Sequence, residues 1–153
     1  MTTTRLDPKD LLARLKLNEG VKLFPYICPA GKLTVGWGRN LEERGITKEE
    51  AEVMLMTDMR VALEALDHTY PWWRSMTSPR QIALADMAFN LGITGLTKFR
   101  KMITALSQQR WTDAAEECLW NDKTHGVATK YAEQVGRRAV RNAHAFEFGE
   151  FPK

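Results

Sequence analysis

The feature that most constrains this fold is a switch of hydrophobic period near the front of the chain. Leu11, Leu12 and Leu15 form a helical stripe, whereas Leu33, Val35 and Trp37 alternate with Lys32, Thr34 and Gly36. The first pattern fits a helix and the second a half-buried strand. Asp7-Pro8 reads as N-cap and first helical residue. The spacing predicts a helix over about 8–18, closed at Glu19-Gly20 with Gly20 just past its end. Pro29-Ala30-Gly31 is turn chemistry, so residues 21–40 are expected to form a small antiparallel hairpin or sheet. On that alternation, Thr34 lies on the polar face, opposite Leu33, Val35 and Trp37.

The remainder reads as helical. Thr47-Lys48-Glu49-Glu50 is a capping box. It opens a helix carrying Ala51, Met54, Leu55, Met59, Ala62 and Leu66 that should run to about His68. Tyr70-Pro71-Trp72-Trp73 ends or kinks it. Ser78-Pro79-Arg80-Gln81 reads as a second capping box, followed by an apolar segment from Ile82 to Phe89. Gly92 and Gly95 should break that central helix. Further helices are expected at about 97–107, 111–119 and 128–144. The fold class is therefore α+β, with a small antiparallel sheet lobe joined by a long helix to a mostly helical lobe. The expected domain spans 7–150, with lobes 19–56 and 57–150 and the 8–18 helix joined to the second.

Composition narrows the setting. A chain of 153 residues with 44% hydrophobic content can bury roughly 68–70% of its extended surface, enough for a core without disulfides or metals. Cys28 and Cys118 are not a disulfide framework and are expected to be free thiols. His68, His125 and His144 show no metal-ligand spacing, so neither metal nor cofactor is expected. The N-terminus has no apolar signal core, and no stretch reaches the length of a membrane span. Accumulation in the cytoplasm is the expectation. A net charge of +3 favours approach to an anionic polymer without choosing between cell wall and nucleic acid.

Glu19, Cys28 and Thr34 carry the candidate chemistry. A carboxylate at a helix C-terminus is disfavoured by the macrodipole, and partial burial acts the same way. Both suit a general acid. On spacing alone, Glu19 reads first as a solvated helix-end residue. Cys28 and Thr34 flank the Pro-Ala-Gly turn and can face each other across the hairpin.

Asn18 to Gly38 resembles the active-site signature of phage-type lysozymes, the endolysins of glycoside hydrolase family 24. That family has a catalytic Glu, an Asp or Cys nine residues later, a Thr six residues beyond, and then Gly-x-Gly. Here these are Glu19, Cys28, Thr34 and Gly36-Trp37-Gly38. Phe89-Asn90-Leu91-Gly92 with Thr94 to Phe99 resembles the family's cleft-lining segment. Arg110-Trp111 to Ala115 resembles its next helix, and Gln134 to Arg141 its late helix, where Arg138 aligns with an Arg near the acid. The resemblance covers about residues 8–149. Arg39 stands where many members have a chiefly structural His, and the short segment between sheet and long helix implies a smaller first lobe.

The resemblance implies hydrolysis of peptidoglycan between N-acetylmuramic acid and N-acetylglucosamine, lysing the host for phage release. Glu19, Cys28 and Thr34 would be catalytic; Phe89, Asn90, Gln134 and Arg138 would bind substrate. Glu19 would protonate the leaving oxygen while Cys28 and Thr34 handle the water, implying inversion. An ordinary thiol, with a pKa of about 8.5, is mostly protonated near neutrality. Arg138 can also pair with Glu19 and tune it. Together with the missing export signal, the resemblance implies a holin-type release partner, a monomer without stable membrane insertion, and residence in the host cytoplasm until release to the periplasm or wall.

Other readings stand beside this one. A lytic transglycosylase would share the essential Glu but leave anhydro-muramic ends. Cys28 with a histidine would suggest a thiol peptidase, but no local motif supports that pair. The basic run Gly136 to Asn142 would suit nucleic acid, yet one short run is more often a solvated helix face. No nucleic-acid partner is therefore expected. A descendant that binds wall without cutting it is the remaining alternative. The Tyr70 to Trp73 cluster reads as sugar stacking or as packing, Asn90 as a sugar contact or as a cap of the turn at Gly92, and Cys118 as a buried small hydrophobe.

Overall fold

A computed structural model describes residues 6–153. The chain divides into two compact units, Met1–Val53 and Met54–Lys153.

The first unit begins with α1 (Pro8–Glu19). The Asp7 carboxylate accepts from the Lys9 N–H at 2.8 Å, and Pro8 occupies a position where a missing donor costs nothing. Gly20 takes a positive φ of 62° and donates its N–H to the Lys16 carbonyl, which ends the helix. β1 (Lys22–Ile27), β2 (Leu33–Gly36) and β3 (Arg39–Asn40) then form an antiparallel sheet in the order β1-β2-β3. Tyr26 pairs with Thr34, Ile27 with Leu33, and Val35 with Arg39. The β1–β2 register shifts between Lys22 and Tyr26, the stretch that holds Pro25, which has no N–H for the ladder.

Thr34 departs from the sequence expectation. It is 3% exposed, whereas Leu33 is 36% and Trp37 49% exposed. The strand alternates as predicted, but with the opposite sense of burial. Thr34 lies on the central strand, flanked by Tyr26 and Asn40. Its hydroxyl is satisfied by the Lys32 carbonyl at 2.9 Å, which removes the penalty for burying it.

α2 (Lys48–Thr69) runs from the first unit into the second. Its capping box forms as read. The Thr47 N–H donates to Glu50 at 2.8 Å, and the Glu50 N–H donates to the Thr47 hydroxyl at 3.2 Å. The second box does not form. α3 (Ser78–Leu96) has Thr77 as its N-cap residue, and the Thr77 hydroxyl accepts from Arg80 instead. The Gln81 amide turns back to the carbonyls of Arg74 and Met76. Those carbonyls belong to the end of a 3-10 turn, Pro71–Ser75, and the residue that follows it.

The second unit is built on α3, α4 (Arg100–Ser107), α5 (Trp111–Leu119), α6 (Lys130–Val135) and α7 (Arg137–Phe148). Leu84, Met87, Met102, Leu106, Cys118 and Phe146 fill its core. Trp73 is 1% exposed and donates its indole N–H to Asp67 at 2.8 Å, so this part of the aromatic cluster packs. The Cys118 sulfur lies 3.8 Å from that of Met87, and burial pushes its thiol up to about 12.

Gly92 breaks the helical path inside α3, with φ 66° and ψ 162°. Gly136, at φ 52°, divides the expected 128–144 helix into α6 and α7. Between α5 and α6 the chain makes a two-stranded hairpin, β4 (Trp120–Asp122) with β5 (Val127–Ala128), where the sequence reading had no strand. The α+β class holds. No described helix is long and apolar enough to cross a membrane.

Candidate active site

Glu19 is the last residue of α1 and is exposed. Its carboxyl lies against the β2–β3 turn. A Cβ added to Gly38 would stand 3.3 Å from Glu19 Oε2 and 3.7 Å from its Cδ. Gly38 has φ 79°, so both the backbone geometry and the neighbouring carboxyl favour glycine here. One turn earlier in α1, the Lys16 ammonium stands 5.0 Å from the centre of the Trp37 ring. The last turn of α1 is thus seated on Trp37-Gly38.

Cys28 directly follows β1, and Thr34 lies on β2 opposite Tyr26. Cys28 is half-buried with a free thiol. Its N–H donates to the Lys32 carbonyl at 3.0 Å, and its carbonyl accepts from Gly31 at 2.8 Å. Foremost, the Lys32 N–H, and then the Thr34 hydroxyl, hold the thiol below its ordinary range. The Ala30 N–H helps, and together they outweigh partial burial. Thr34 and Gly38 lie four positions apart on β2 and its turn, so their Cα atoms are at most about 14 Å apart. One strand and turn therefore hold the acidic residue's seat and the thiol–hydroxyl pair.

The remaining predicted residues belong to the second unit. Phe89 and Asn90 are exposed near the end of the regular part of α3, before Gly92. Gln134, on α6, lines a groove of about 700 Å³ with Leu91, Phe99, Met102 and Tyr131. Arg138, on α7, lines a different hollow of about 540 Å³ with Ile82, Arg141 and Asn142.

Arg138 is part of a network that the sequence reading missed. Its Nε and Nη2 donate to the two oxygens of Asp86 at 2.8 and 2.7 Å. The Asn142 amide donates to Asp86 at 2.7 Å and to the Tyr131 hydroxyl at 2.8 Å. Burial pushes the Asp86 carboxyl up. Hydrogen bonds from Arg138 and Asn142, with the charges of Arg138 and Arg141, outweigh burial and hold it below the usual range. The signal was available: Asp86 is the one charge in the apolar run from Ile82 to Phe89, and a charge placed there needs a partner.

Among the described residues, no cluster of three or more His, Cys, Asp or Glu side chains is arranged to hold a metal ion.

Comparison with known proteins places this sequence in a family. A profile described as phage lysozyme matches residues 16–141. The chain is 33% identical over 147 residues to the pre-baseplate central spike protein Gp5 of Enterobacteria phage T4; the match covers 76% of this chain and 26% of that protein. It therefore spans a small part of the spike protein's length. It is 25% identical over 142 residues to the probable T4-type lysozyme 2 of Dictyostelium discoideum, covering 72% of this chain and 84% of that protein. An endolysin of Acyrthosiphon pisum secondary endosymbiont phage 1 is 28% identical over 137 residues, covering 86% and 92%. With the family profile spanning most of the sequence and both ends of the candidate site, the chain belongs to the phage lysozyme family.

Proposed function

We propose that this protein hydrolyses the β-1,4 bonds between N-acetylmuramic acid and N-acetylglucosamine in bacterial peptidoglycan, with Glu19 as general acid. The observation that carries the reading is the arrangement along β2 and its turn. Gly38 backs the Glu19 carboxyl, and Thr34 joins Cys28 at the other end. A glycosidase of this kind needs an acid for the leaving oxygen and a second group for the water.

In this mechanism Glu19 gives its proton to the glycosidic oxygen as the bond breaks. A water held by the Thr34 hydroxyl adds to the anomeric carbon from the opposite face, and its proton passes to the Cys28 thiolate. The product is inverted, and solvent returns Glu19 and Cys28 to their starting protonation. The donors around Cys28 favour the thiolate that this step requires. Cys28 acts on water and forms no covalent sugar adduct. Phe89, Asn90, Gln134 and Arg138 bind the glycan and its substituents. We extend the reading to a glycoside hydrolase family 24 endolysin. It would act as a monomer, wait in the host cytoplasm and be released by a holin-type partner.

A second setting is favoured by the match to the pre-baseplate central spike protein: the same chemistry carried on the virus particle. Fractionating a lysate separates the two, since an endolysin remains with soluble protein and a particle-borne enzyme sediments with virions.

The reaction is tested by mass spectrometry of muropeptides after digestion of purified wall. Reducing muramic ends support hydrolysis. Anhydro-muramic ends mean transglycosylation, and intact wall with retained binding means a non-catalytic wall protein.

A further inference from the structure

We infer that Arg39 is a positioning residue for the reaction: by tying the β2–β3 turn to the start of α2, it holds Gly38 against Glu19. The inference rests on Glu19 being the acid proposed above.

Arg39 directly follows Gly38 and pairs with Val35 across the turn. Its side chain is 19% exposed. Nη1 donates to the Gly45 carbonyl at 2.9 Å, and Nη2 is bonded to the Glu50 carboxylate. Glu50 is itself fixed, because its other oxygen accepts the Thr47 N–H at 2.8 Å. The two guanidinium nitrogens thus grip a loop carbonyl and a helix cap at once. On its other side the same turn meets α1, through Gly38 beside the Glu19 carboxyl and Trp37 beneath Lys16.

Hydrogen bonds run from the α2 cap through Glu50 to Arg39, which directly follows Gly38, where a Cβ would stand 3.3 Å from Glu19 Oε2. A turn freed from α2 can shift by a fraction of an ångström without unfolding the sheet, and catalytic groups are sensitive to shifts of that size. The planar fork is what reaches both acceptors. A lysine would reach one of them.

The test compares Arg39→Ala, Arg39→Lys and Thr47→Val with the parent protein. Steady-state kinetics on soluble glycan strands and thermal unfolding are measured for each. Thr47→Val weakens the cap while leaving the Arg39 fork in place, so it reports the cost of helix stability alone. We expect Arg39→Ala to lower kcat about tenfold or more with KM unchanged within about twofold. Arg39→Lys should fall between the two. Thr47→Val should lower the melting temperature while leaving kcat in place.

A parent-like kcat in Arg39→Ala overturns the inference, as does the same kinetic loss in Thr47→Val. Should Arg39→Ala fail to fold, Arg39→Lys decides, and a kcat equal to the parent's overturns it. If Glu19→Gln is inactive while Arg39→Ala is fully active, this inference alone fails. If Glu19→Gln is active, the functional reading beneath it fails.

Discussion

The Thr34 hydroxyl donates to the Lys32 carbonyl at 2.9 Å, on the strand that faces Cys28 across the turn. Its single proton can serve one acceptor at a time. With a thiol beside it, the carbonyl takes the proton; with a thiolate, the sulfur competes for it. This pair gives the two cysteines of the chain opposite chemistry.

Cys28 should therefore react with iodoacetamide at a pH below the ordinary thiol range, because its charged form is stabilised by the Lys32 N–H and then by Thr34. Cys118, buried and pushed up to about 12, should stay unmodified until the protein unfolds. Thr34→Val should move the Cys28 reactivity midpoint upward. Peptide mapping of alkylation against pH checks this, and an unmoved midpoint removes the Thr34 contact from the account.

Gly38 and Gly31 form a natural comparison. Both have positive φ, 79° and 77°, so alanine should cost about 1 kcal/mol at either site through the backbone. A Cβ at Gly38 meets Glu19, whereas one at Gly31 meets nothing within 4 Å. Gly38→Ala should lose wall-lytic activity well beyond Gly31→Ala at similar thermal stability. Equal losses would mean that Gly38 does not seat the acid.

The Asp86 pair should make stability depend on pH. Its folded carboxyl is held below the usual range, so the stabilisation is present above the unfolded value of about 3.9. It is lost as pH falls through the folded value. Asp86→Asn should cost about 2 kcal/mol at neutral pH, chiefly by leaving the Arg138 guanidinium partly buried and poorly paired. Urea melts at two pH values check the sign: the gap to the parent protein should narrow in strong acid.

The Thr129 hydroxyl donates to the Cys118 carbonyl and accepts the Ala132 N–H at the start of α6. Thr129→Val keeps the shape and removes both bonds, so it should destabilise by about 1–2 kcal/mol. Thermal unfolding reads the loss directly, and an unchanged midpoint would show that the cap is dispensable.

Local signals were legible where the partners are close in sequence. The Thr47–Glu50 box formed because each side chain needs only the backbone of the other. Ser78 and Gln81 had the same spacing, but Gln81 found better acceptors in the preceding turn, which periodicity does not reveal. The burial of Thr34 depends on both neighbouring strands, and the short β4–β5 hairpin on pairing without an apolar repeat. In the candidate site, Glu19, Cys28 and Thr34 were singled out by the resemblance to phage-type lysozymes, since spacing alone leaves Glu19 a helix-end carboxylate. Asp86 stands out as the one charge in an apolar run, but its partners lie 52 and 56 positions away, beyond what periodicity can name. Arg39 stood in the sequence as a replacement for a common histidine, and its link to Glu50 emerged only from the folded turn.

The most direct measurement is wall lysis by Glu19→Gln, run beside the parent protein and Cys28→Ser. The substitution keeps the size of the side chain and removes the transferable proton. Glu19→Gln should lose about a hundredfold or more of the rate while retaining the fold by circular dichroism and binding to purified wall. Lysis by Glu19→Gln near the parent rate would contradict the assignment of Glu19 as the acid.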